Sequence, residues 1–427
     1  MRSLWRKVLD IDIDTTVLED VEFDVEADGL VAHVRPKARH RQRCGRCGRR
    51  SPWYDAGEGR RRWRSLDLGT TPVWFAADAP RVSCKVHGVT VTQVPWARHD
   101  ARFTRQFDDT VAWLATQCSK TAITMLLRIA WRTVGSIITR VVADIDRQVD
   151  RLEGLKRIGI DEISYKRGHR YLTVVVDHDS GRLVWAAPGR DKATLRKFFD
   201  ELGDERSAQI THVSADQADW IATVVSERAS QAELCADPFH IVAWATEALD
   251  QVRRDAWNAA RDTSGKPGTR RASGEAKMLK HARYALWKNP ENLTDRQRVK
   301  LDWIAKTDPK LHRAYELKEG LRMVFAVKGE DGKQALDDWI SWAQRCRIQP
   351  FVDLQRRIRK HRVAIDATLE HGLSQGLVES TNTKIRMLTR IAFGFRSPDA
   401  LIALAMLSLG GYRPQLPHQQ RALTTAT

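Results

Sequence analysis

The sequence has no long hydrophobic run. Its longest apolar stretch, near 400–409, is well short of the ~20 residues that a helix needs to cross a bilayer. Residues 1–20 also lack the apolar core of a signal peptide. We therefore expect a soluble, cytoplasmic protein, and its 427 residues are enough for two or three domains, each with its own core.

Cysteine is also scarce, with six in the whole chain. So few thiols in a chain of this length argue against a disulfide framework of the kind that holds small secreted domains together. Cys118, Cys235 and Cys346 are isolated and are predicted to be small buried residues. The other three cysteines are clustered near the N-terminus.

The clustered cysteines belong to two short pairs, in which Cys44 precedes Cys47 and Cys84 precedes His87. Two intervening residues let both members of a pair reach one tetrahedral metal, so the four side chains predict a Cys₃His zinc site. Four protein ligands leave no open position, so this zinc would stabilise the fold and do no chemistry. The interval 48–83 is longer than in commoner ribbons, and the alternative is chance cysteines beside a lone histidine.

Acidic residues are outnumbered by basic ones. Lysine and arginine total 71 against 54 acidic residues, which gives a formal net charge of +17 and an isoelectric point near 9.8. This excess favours a polyanionic partner, and nucleic acid is the first candidate. A membrane surface would attract the same charge.

Helical periodicity begins near residue 103 and indicates a helix-turn-helix. The predicted helices are 120–127 and 133–142, with a break at 128–132. The second helix would lie in the major groove of DNA and present three polar side chains: Arg132, Ser136 and Arg140. A plain helical hairpin is the alternative.

The centre of the chain predicts a β-hairpin that carries two carboxylates. Two runs of β-branched and aliphatic residues in 156–177 flank a polar turn at 166–168. The first run ends in Asp161 and Glu162. A charge at the end of an apolar strand is costly unless it is paired, and a divalent metal is one such partner.

Two later segments offer further carboxylates. The predicted strand 209–215 ends at Asp216 and is followed by a helical pattern over 217–228. Residues 374–395 predict an amphipathic helix that carries Glu379. Two aspartates after strands and a glutamate on a late helix would suit two divalent metals.

The helix over 374–395 has two predicted faces. Its apolar stripe consists of Val378, Ile385, Leu388 and Ile391. Its polar face consists of Glu379, Asn382, Arg386 and Arg390.

Each carboxylate also has a purely structural interpretation. Asp161 could pair with Lys166 or Arg167, Asp216 could cap the following helix, and Glu379 could pair with Arg386. Asp237 also follows a predicted strand, 232–236, and competes with Asp216 for the same role.

Four motifs occur in an order that resembles a known family: IGIDE at 158–162, VSADQ at 213–217, ADPFH at 236–240 and GLVESTNTKIRMLTRIAFGFRS at 376–397. The chain resembles the DDE transposases of bacterial insertion sequences, most of all the insertion-sequence L-three (ISL3) family. The resemblance implies an RNase H-like core that cuts and joins DNA with Mg²⁺ or Mn²⁺, and a protein of the bacterial cytoplasm associated with the nucleoid.

The resemblance also implies roles for individual residues. Asp161, Asp216 and Glu379 match the catalytic carboxylates, with Asp161 bridging two metal ions about 3.5 to 4 Å apart. Asp237 and His240 resemble a motif that orients DNA or a metal ligand, and Glu162 and His169 are predicted neighbours of the site. DNA contacts are expected from the helix-turn-helix residues above and from Asn382, Lys384, Arg386 and Arg390.

The predicted fold is multidomain and mostly α+β. A hairpin over 21–34, turning at Asp28 and Gly29, opens a zinc-ribbon domain. A mixed sheet with helices on its faces follows the helix-turn-helix and is compatible with an RNase H-like core. The predicted domain boundaries are 1–100 for the hairpin and zinc ribbon, 101–150 for the helix-turn-helix, 151–240 and 373–427 for the two parts of the core, and 241–372 for an all-helical insertion.

The insertion is rich in tryptophan at 244, 257, 287, 303, 339 and 342. We expect these rings to fill its core, and stacking on unpaired bases is the alternative.

Together these features predict a transposase that binds terminal inverted repeats and target DNA as a homodimer or larger assembly, and that catalyses metal-dependent strand cleavage and strand transfer. A non-catalytic DNA-binding regulator built on the ribbon and helix-turn-helix is one alternative. A metal-dependent nuclease without strand transfer is the other.

Overall fold

The structure is a computed structural model that describes residues 1–166, 168–216, 218–262, 274–373, 375–392, 394–395 and 397–416. The chain forms two compact units. Unit 1 contains Met1–Arg151 and the chain from Ile385 onward, and unit 2 contains Leu152–Lys384. The five domain boundaries predicted above remain a prediction.

The strands are β1 (Thr16–Asp24), β2 (Gly29–Pro36), β3 (Trp53–Asp55), β4 (Arg60–Arg64), β5 (Val73–Asp78), β6 (Arg81–Cys84), β7 (Gly88–Val91), β8 (Arg157–Lys166), β9 (Arg170–Asp177), β10 (Leu183–Pro188), β11 (His212–Ala215) and β12 (Glu233–Ala236).

The helices are α1 (Arg2–Val8), α2 (Arg105–Ala115), α3 (Lys120–Leu127), α4 (Trp131–Ile145), α5 (Lys192–Leu202), α6 (Asp204–Ser207), α7 (Asp219–Arg228), α8 (Pro238–Asp262), α9 (Gly274–Lys280), α10 (Arg283–Trp287), α11 (Asp295–Thr307), α12 (Pro309–Val324), α13 (Gly329–Arg345), α14 (Gln349–Lys360), α15 (Arg362–His371), α16 (Gly376–Ile391) and α17 (Pro398–Leu409).

Unit 1 begins with two small sheets, in the orders β1-β2-β5-β4 and β3-β6-β7. The predicted N-terminal hairpin is confirmed, because β1 and β2 pair antiparallel from Thr16↔Pro36 to Asp24↔Gly29. Alternate residues of these strands are buried, as expected for sheets with one solvated face. Trp63 lies edge-on to Trp96 in this core, with ring centroids 5.6 Å apart.

The predicted helix-turn-helix is present as α3 and α4. The Ser119 hydroxyl accepts a hydrogen bond from the Ala122 amide at the start of α3, and Arg128 ends that helix in the left-handed region, with φ 55°. The two helix axes differ by 101°, within the range usual for this motif. Among the described residues no single helix is long and apolar enough to span a membrane. Helices α3 and α4 reach that length and apolar character only when they are taken together, and the chain bends sharply between them.

The central sheet of unit 2 is mixed and has the order β10-β9-β8-β11-β12. Strands β8, β9 and β10 are antiparallel, whereas β11 lies parallel to both β8 and β12. Buried side chains of α5 and α7 pack with the sheet in one apolar core. Three antiparallel strands followed by two parallel strands with helices are the RNase H-like arrangement that the sequence predicted.

The position predicted for Asp161 at a strand end needs correction. β8 pairs with β9 as far as Lys166↔Arg170, so Asp161 lies inside the strand. On its other side, pairing with β11 stops at Ile160↔Ala215. The carboxylate therefore lies where the parallel part of the sheet ends, which the one-dimensional pattern could not distinguish from the end of the strand. Arg167, predicted in the turn, lies outside the described residues.

Helices α8 to α15 form the predicted helical segment and enclose a large apolar core. Trp244 and Trp339 are buried in it, and the Trp339 indole donates a hydrogen bond to the Leu317 carbonyl at 2.7 Å. This confirms core filling for these two rings, whereas Trp342 is 37% exposed. Cys235 and Cys346 are buried as predicted. Cys118 is only half-buried, because its position between α2 and α3 has solvent on one side.

Candidate metal centres

The four predicted zinc ligands converge in unit 1. The Cys44 Sγ and Cys84 Sγ atoms lie 3.6 and 3.7 Å from the His87 Nδ1 atom, and Cys47 Sγ lies 3.8 Å from Cys84 Sγ. A tetrahedron with Zn–S bonds of about 2.3 Å has edges of about 3.8 Å. The predicted Cys₃His grouping is therefore confirmed as a cluster whose donor set and spacing suit Zn²⁺.

The backbone around Cys84 favours the thiolate form of its side chain. Amide groups of Val86 and His87 point at this sulfur and, with contributions from His87 and Cys44, lower the pKa of the Cys84 thiol to about 6. Burial raises the pKa of Cys44 instead. The thiolate is the form that binds metal, so the turn after Cys84 favours the binding form near neutral pH.

The register of the central sheet brings three aspartates to one edge of unit 2. Ile160, Ala215 and Ala236 are partners across β8, β11 and β12. The residues that follow them are Asp161, Asp216 and Asp237. The carboxyl ends of parallel strands meet at the same edge of a sheet, which is where open α/β sheets place their ligands. We call this set the carboxylate edge.

His240, in the first turn of α8, lies between two of these carboxylates. Its Nδ1 atom is 3.2 Å from Asp216 Oδ1 and 3.1 Å from Asp237 Oδ2. The contact with Asp237, aided by the charges of Asp216 and Asp161, raises the pKa of His240 to about 9. The imidazolium therefore supplies positive charge at the edge at neutral pH.

Burial is the largest cause that raises the pKa of Asp161, and Asp216 and Asp237 add to it, whereas the Glu162 amide and His240 oppose it. Two buried carboxylate oxygens, Glu162 Oε1 and Asp237 Oδ2, have no well-aligned hydrogen bond within the described part of the chain, although each lies in an ion pair, with Arg190 and His240 respectively. Crowded carboxylate oxygens are the donor set that Mg²⁺ or Mn²⁺ prefers.

Helix α16 docks directly on β8. Gln375, just before the helix, donates a hydrogen bond to the Ile160 carbonyl at 3.2 Å, and the Asn382 amide donates one to Asp161 Oδ2 at 2.7 Å. Between them, Val378 packs so closely on Gly159 that a Cβ there would overlap its side chain. Glycine at this position therefore allows the helix to approach the strand.

Glu379 follows Val378 on this docked helix, and its side chain is exposed. Within the described residues, the carboxylate oxygens of Asp161, Asp216 and Glu379 are not all within 4.8 Å of one another. The structure thus brings Asp161 and Asp216 to one edge and fixes the backbone of Glu379 beside it.

Two of the predicted DNA-contact residues have partners within the protein. Arg140 binds both oxygens of the buried Asp108, at 3.0 and 3.2 Å, and Asn382 is buried against Asp161. Both side chains are therefore occupied by contacts within the protein in this structure. Their partners lie far away in the chain, so these contacts could not be predicted from the sequence. Arg132 and Ser136 are exposed on α4, and Lys384, Arg386 and Arg390 are exposed on α16.

The sequence pattern of α16 contained a signal that we missed. Asn382 lies four residues after Val378 and three before Ile385, so it belongs to the buried stripe. Ile391, which we placed on that stripe, is 42% exposed. Of the predicted neighbours, Glu162 pairs with Arg190 at 3.3 Å and His169 is exposed in the turn.

Comparisons with known proteins agree with these features. A family model described as a transposase of the ISL3 type matches residues 158–405. The model for the helix-turn-helix domain of transposase family ISL3 matches 92–142, and the model for the zinc-finger of the IS204/IS1001/IS1096/IS1165 transposases matches 40–87.

The chain is also similar to named relatives. It is 66% identical over 430 aligned residues to the transposase for insertion sequence element IS1557 of Mycobacterium tuberculosis, with 97% of each chain covered. It is 26% identical over 373 residues to the transposase for insertion sequence element IS1001 of Bordetella parapertussis, with 87% of this chain and 89% of the relative covered.

Proposed function

The chain belongs to the ISL3 family of transposases, and on that premise we propose that its carboxylate edge cleaves DNA strands at the ends of an insertion sequence and transfers them to target DNA. The observation that carries this proposal is the register that brings Asp161 and Asp216 to one edge of the sheet, while α16, which also carries Glu379, binds Asp161 through Asn382.

We propose that Asp161, Asp216 and Glu379 would hold Mg²⁺ or Mn²⁺. When bound, the ions would stabilise the attacking and leaving oxygens of an in-line displacement at phosphorus. The convergence of Asp161, Asp216 and Asp237 at one edge of the sheet supports the assignment.

Neighbouring residues orient the carboxylates of the site. The Glu162 amide donates to Asp161 Oδ1 at 2.7 Å and Asn382 donates to Oδ2, so both oxygens of this carboxylate have fixed directions. The positively charged His240 pairs with both Asp216 and Asp237, at 3.2 and 3.1 Å, and thereby holds the two carboxylates together. Glu379 remains exposed and available to a ligand on the open face.

DNA is the partner that the family and the helix-turn-helix indicate, and we propose that its terminal inverted repeats are bound by the zinc ribbon and by α4. Arg132 and Ser136 would contact the major groove, while Lys384, Arg386 and Arg390 would contact phosphates. Zn²⁺ in the Cys₃His cluster would hold the ribbon's shape. We further propose a homodimer or larger assembly in the bacterial cytoplasm, associated with the nucleoid, because two DNA ends must be cut together.

The test is Mg²⁺-dependent cutting and joining of DNA that carries the element's own end repeats. Asp161→Ala, Asp216→Ala and Glu379→Ala should each lower product formation by about a thousandfold, since several kcal/mol of charge stabilisation would be lost. Asp200→Ala, which removes an exposed carboxylate on α5 that pairs with Arg228, is the matched control and should retain activity.

Three other outcomes would revise the proposal. Cutting without joined products would indicate a nuclease, and binding without cutting under Mg²⁺ or Mn²⁺ would indicate a DNA-binding regulator. Loss of activity in Asp237→Asn together with retention in Asp216→Ala would reassign the second catalytic aspartate.

A further inference from the structure

A second group of metal-ligating side chains lies at the opposite end of the parallel strands. His212 is the first residue of β11 and pairs directly with Glu233, the first residue of β12. His371 is the last residue of α15, and its Nε2 atom lies 2.8 Å from Glu233 Oε2. The His212 and His371 rings are 4.2 Å apart, and one ligand atom from each of the three residues lies within 4.8 Å of the others.

This group is separate from the carboxylate edge. β11 and β12 each have four residues, so His212 and Asp216 are separated by one full strand, about 13 Å. The donors also differ, because two imidazoles and one carboxylate suit Zn²⁺ and similar transition metals better than Mg²⁺.

The three ligands are held by well-defined backbone. The Thr368 hydroxyl of α15 donates to the Ala236 carbonyl at 2.7 Å, which fixes this helix on β12. Gly372 ends α15 directly after His371, with φ 66°. On the sheet, Thr211 Oγ1 lies 2.8 Å from His212 Nδ1, which occupies one ring nitrogen and leaves Nε2 for a ligand bond.

The charged groups around the site do not block it. Arg157 is the β8 partner of His212, but its guanidinium is paired with Asp179, with Nε 2.7 Å from Oδ1. Glu233 and His371 are exposed and His212 is half-buried, so a metal ion and a water molecule can reach the group from solvent.

We propose that His212, Glu233 and His371 bind one divalent transition-metal ion, Zn²⁺ above all, with a water molecule as the fourth ligand. The ion joins two strands of the sheet to the last helix before α16. Only four residues separate His371 from the start of α16, the helix that carries Glu379. Metal binding would therefore stiffen the base of that helix.

The test measures bound zinc on the full-length protein after equilibrium dialysis at micromolar free Zn²⁺. Wild type should hold one more ion per chain than His371→Ala or Glu233→Gln. Glutamine has the size of glutamate and keeps a hydrogen-bond acceptor, so Glu233→Gln should fold normally. Circular dichroism checks that both variants are folded. His312→Ala is the matched control, because His312 also lies near a glutamate, 3.6 Å from Glu316 on α12.

Cobalt distinguishes this site from the Cys₃His cluster. Co²⁺ held by thiolates gives an intense sulfur-to-metal charge-transfer band, whereas Co²⁺ held by imidazole and carboxylate gives only weak visible bands. The weak bands should disappear in both variants while the thiolate band remains. Equal zinc in wild type and variants, or an equal loss in His312→Ala, would overturn the proposal and leave Glu233 and His371 as a plain surface ion pair.

Discussion

The Cys₃His cluster of unit 1 and the carboxylate edge of unit 2 both have ligands for cations, but only the first is closed. Its sulfur and nitrogen atoms lie 3.6 to 3.8 Å apart, at the spacing of a complete coordination shell. At the carboxylate edge, Asp161, Asp216 and Glu379 do not share one such centre among the described residues. Four ligands at that spacing fill the coordination shell of Zn²⁺, whereas the more widely spaced carboxylates leave room for other ligands on any ion that they hold.

The two regions also differ in how the protein stabilises the negative charge of the ligands. In the cluster, backbone amides favour the Cys84 thiolate before any metal binds. At the edge, desolvation and then the charges of Asp216 and Asp237 raise the pKa of half-buried Asp161, while Asn382 binds Asp161 and His240 pairs with Asp216. The protein's own imidazolium and amide therefore offset part of the negative charge at the edge.

The largest effect is expected at the closed cluster. Cys84→Ser, or removal of metal by a chelator, should unfold the ribbon, because structural zinc contributes about 10 kcal/mol or more to small domains of this kind. Zinc content and the thermal transition of unit 1 measure the effect. Cys118→Ser changes a half-buried thiol outside the cluster and should leave both unchanged. A chelated protein with an unchanged transition would show that the ribbon folds without metal.

The difference between the two sites also explains why the sequence predicted the Cys₃His cluster better than the carboxylate edge. The zinc site could be predicted from local spacing, because an interval of two residues lets both side chains of a pair reach the same metal ion. Its ligands are Cys44, Cys47, Cys84 and His87. The β8–β9 hairpin and the helix-turn-helix were likewise predicted from local pattern, to within a few residues.

The carboxylate edge depends on long-range register, which local pattern does not contain. Nothing near Asp161 in the chain shows that pairing with β11 stops at Ile160, or that Asn382 binds its oxygen from 221 residues away. The ion pair of Arg140 with Asp108 was not foreseen for the same reason, since Asp108 lies on another helix. The carboxylates themselves came from the family resemblance more than from pattern.

An intermediate effect is expected from Asn382, which positions Asp161. Asn382→Ala leaves one oxygen of the half-buried Asp161 carboxylate without its donor, and loss of such a partner typically costs 10- to 100-fold in activity or metal affinity. The measurement is DNA cutting as a function of Mg²⁺ concentration. A positioning role predicts a shift in the Mg²⁺ needed for half-maximal activity.

Thr383→Ala changes an exposed neighbour on α16 and is the control for Asn382. Asn382→Asp sharpens the comparison, because a further carboxylate beside Asp161 should make the open site more dependent on metal. An unchanged Mg²⁺ requirement in both Asn382 variants would reduce the contact to helix packing.

The smallest effect is expected at His240, which contributes positive charge to the carboxylate edge, whereas His87 of the Cys₃His cluster is a predicted metal ligand. Its pKa is raised from 6.5 to about 9, so its stabilising contacts are fully present below pH 6.5 and are lost as the pH rises through about 9. Because its side chain is 38% exposed, we expect less than about 1 kcal/mol. Urea unfolding of the Mg²⁺-free protein between pH 6.5 and 9.5 should therefore show a decline in stability that His240→Gln flattens and His312→Gln does not. Equal slopes in all three proteins would mean that the edge balances its carboxylates without this imidazolium.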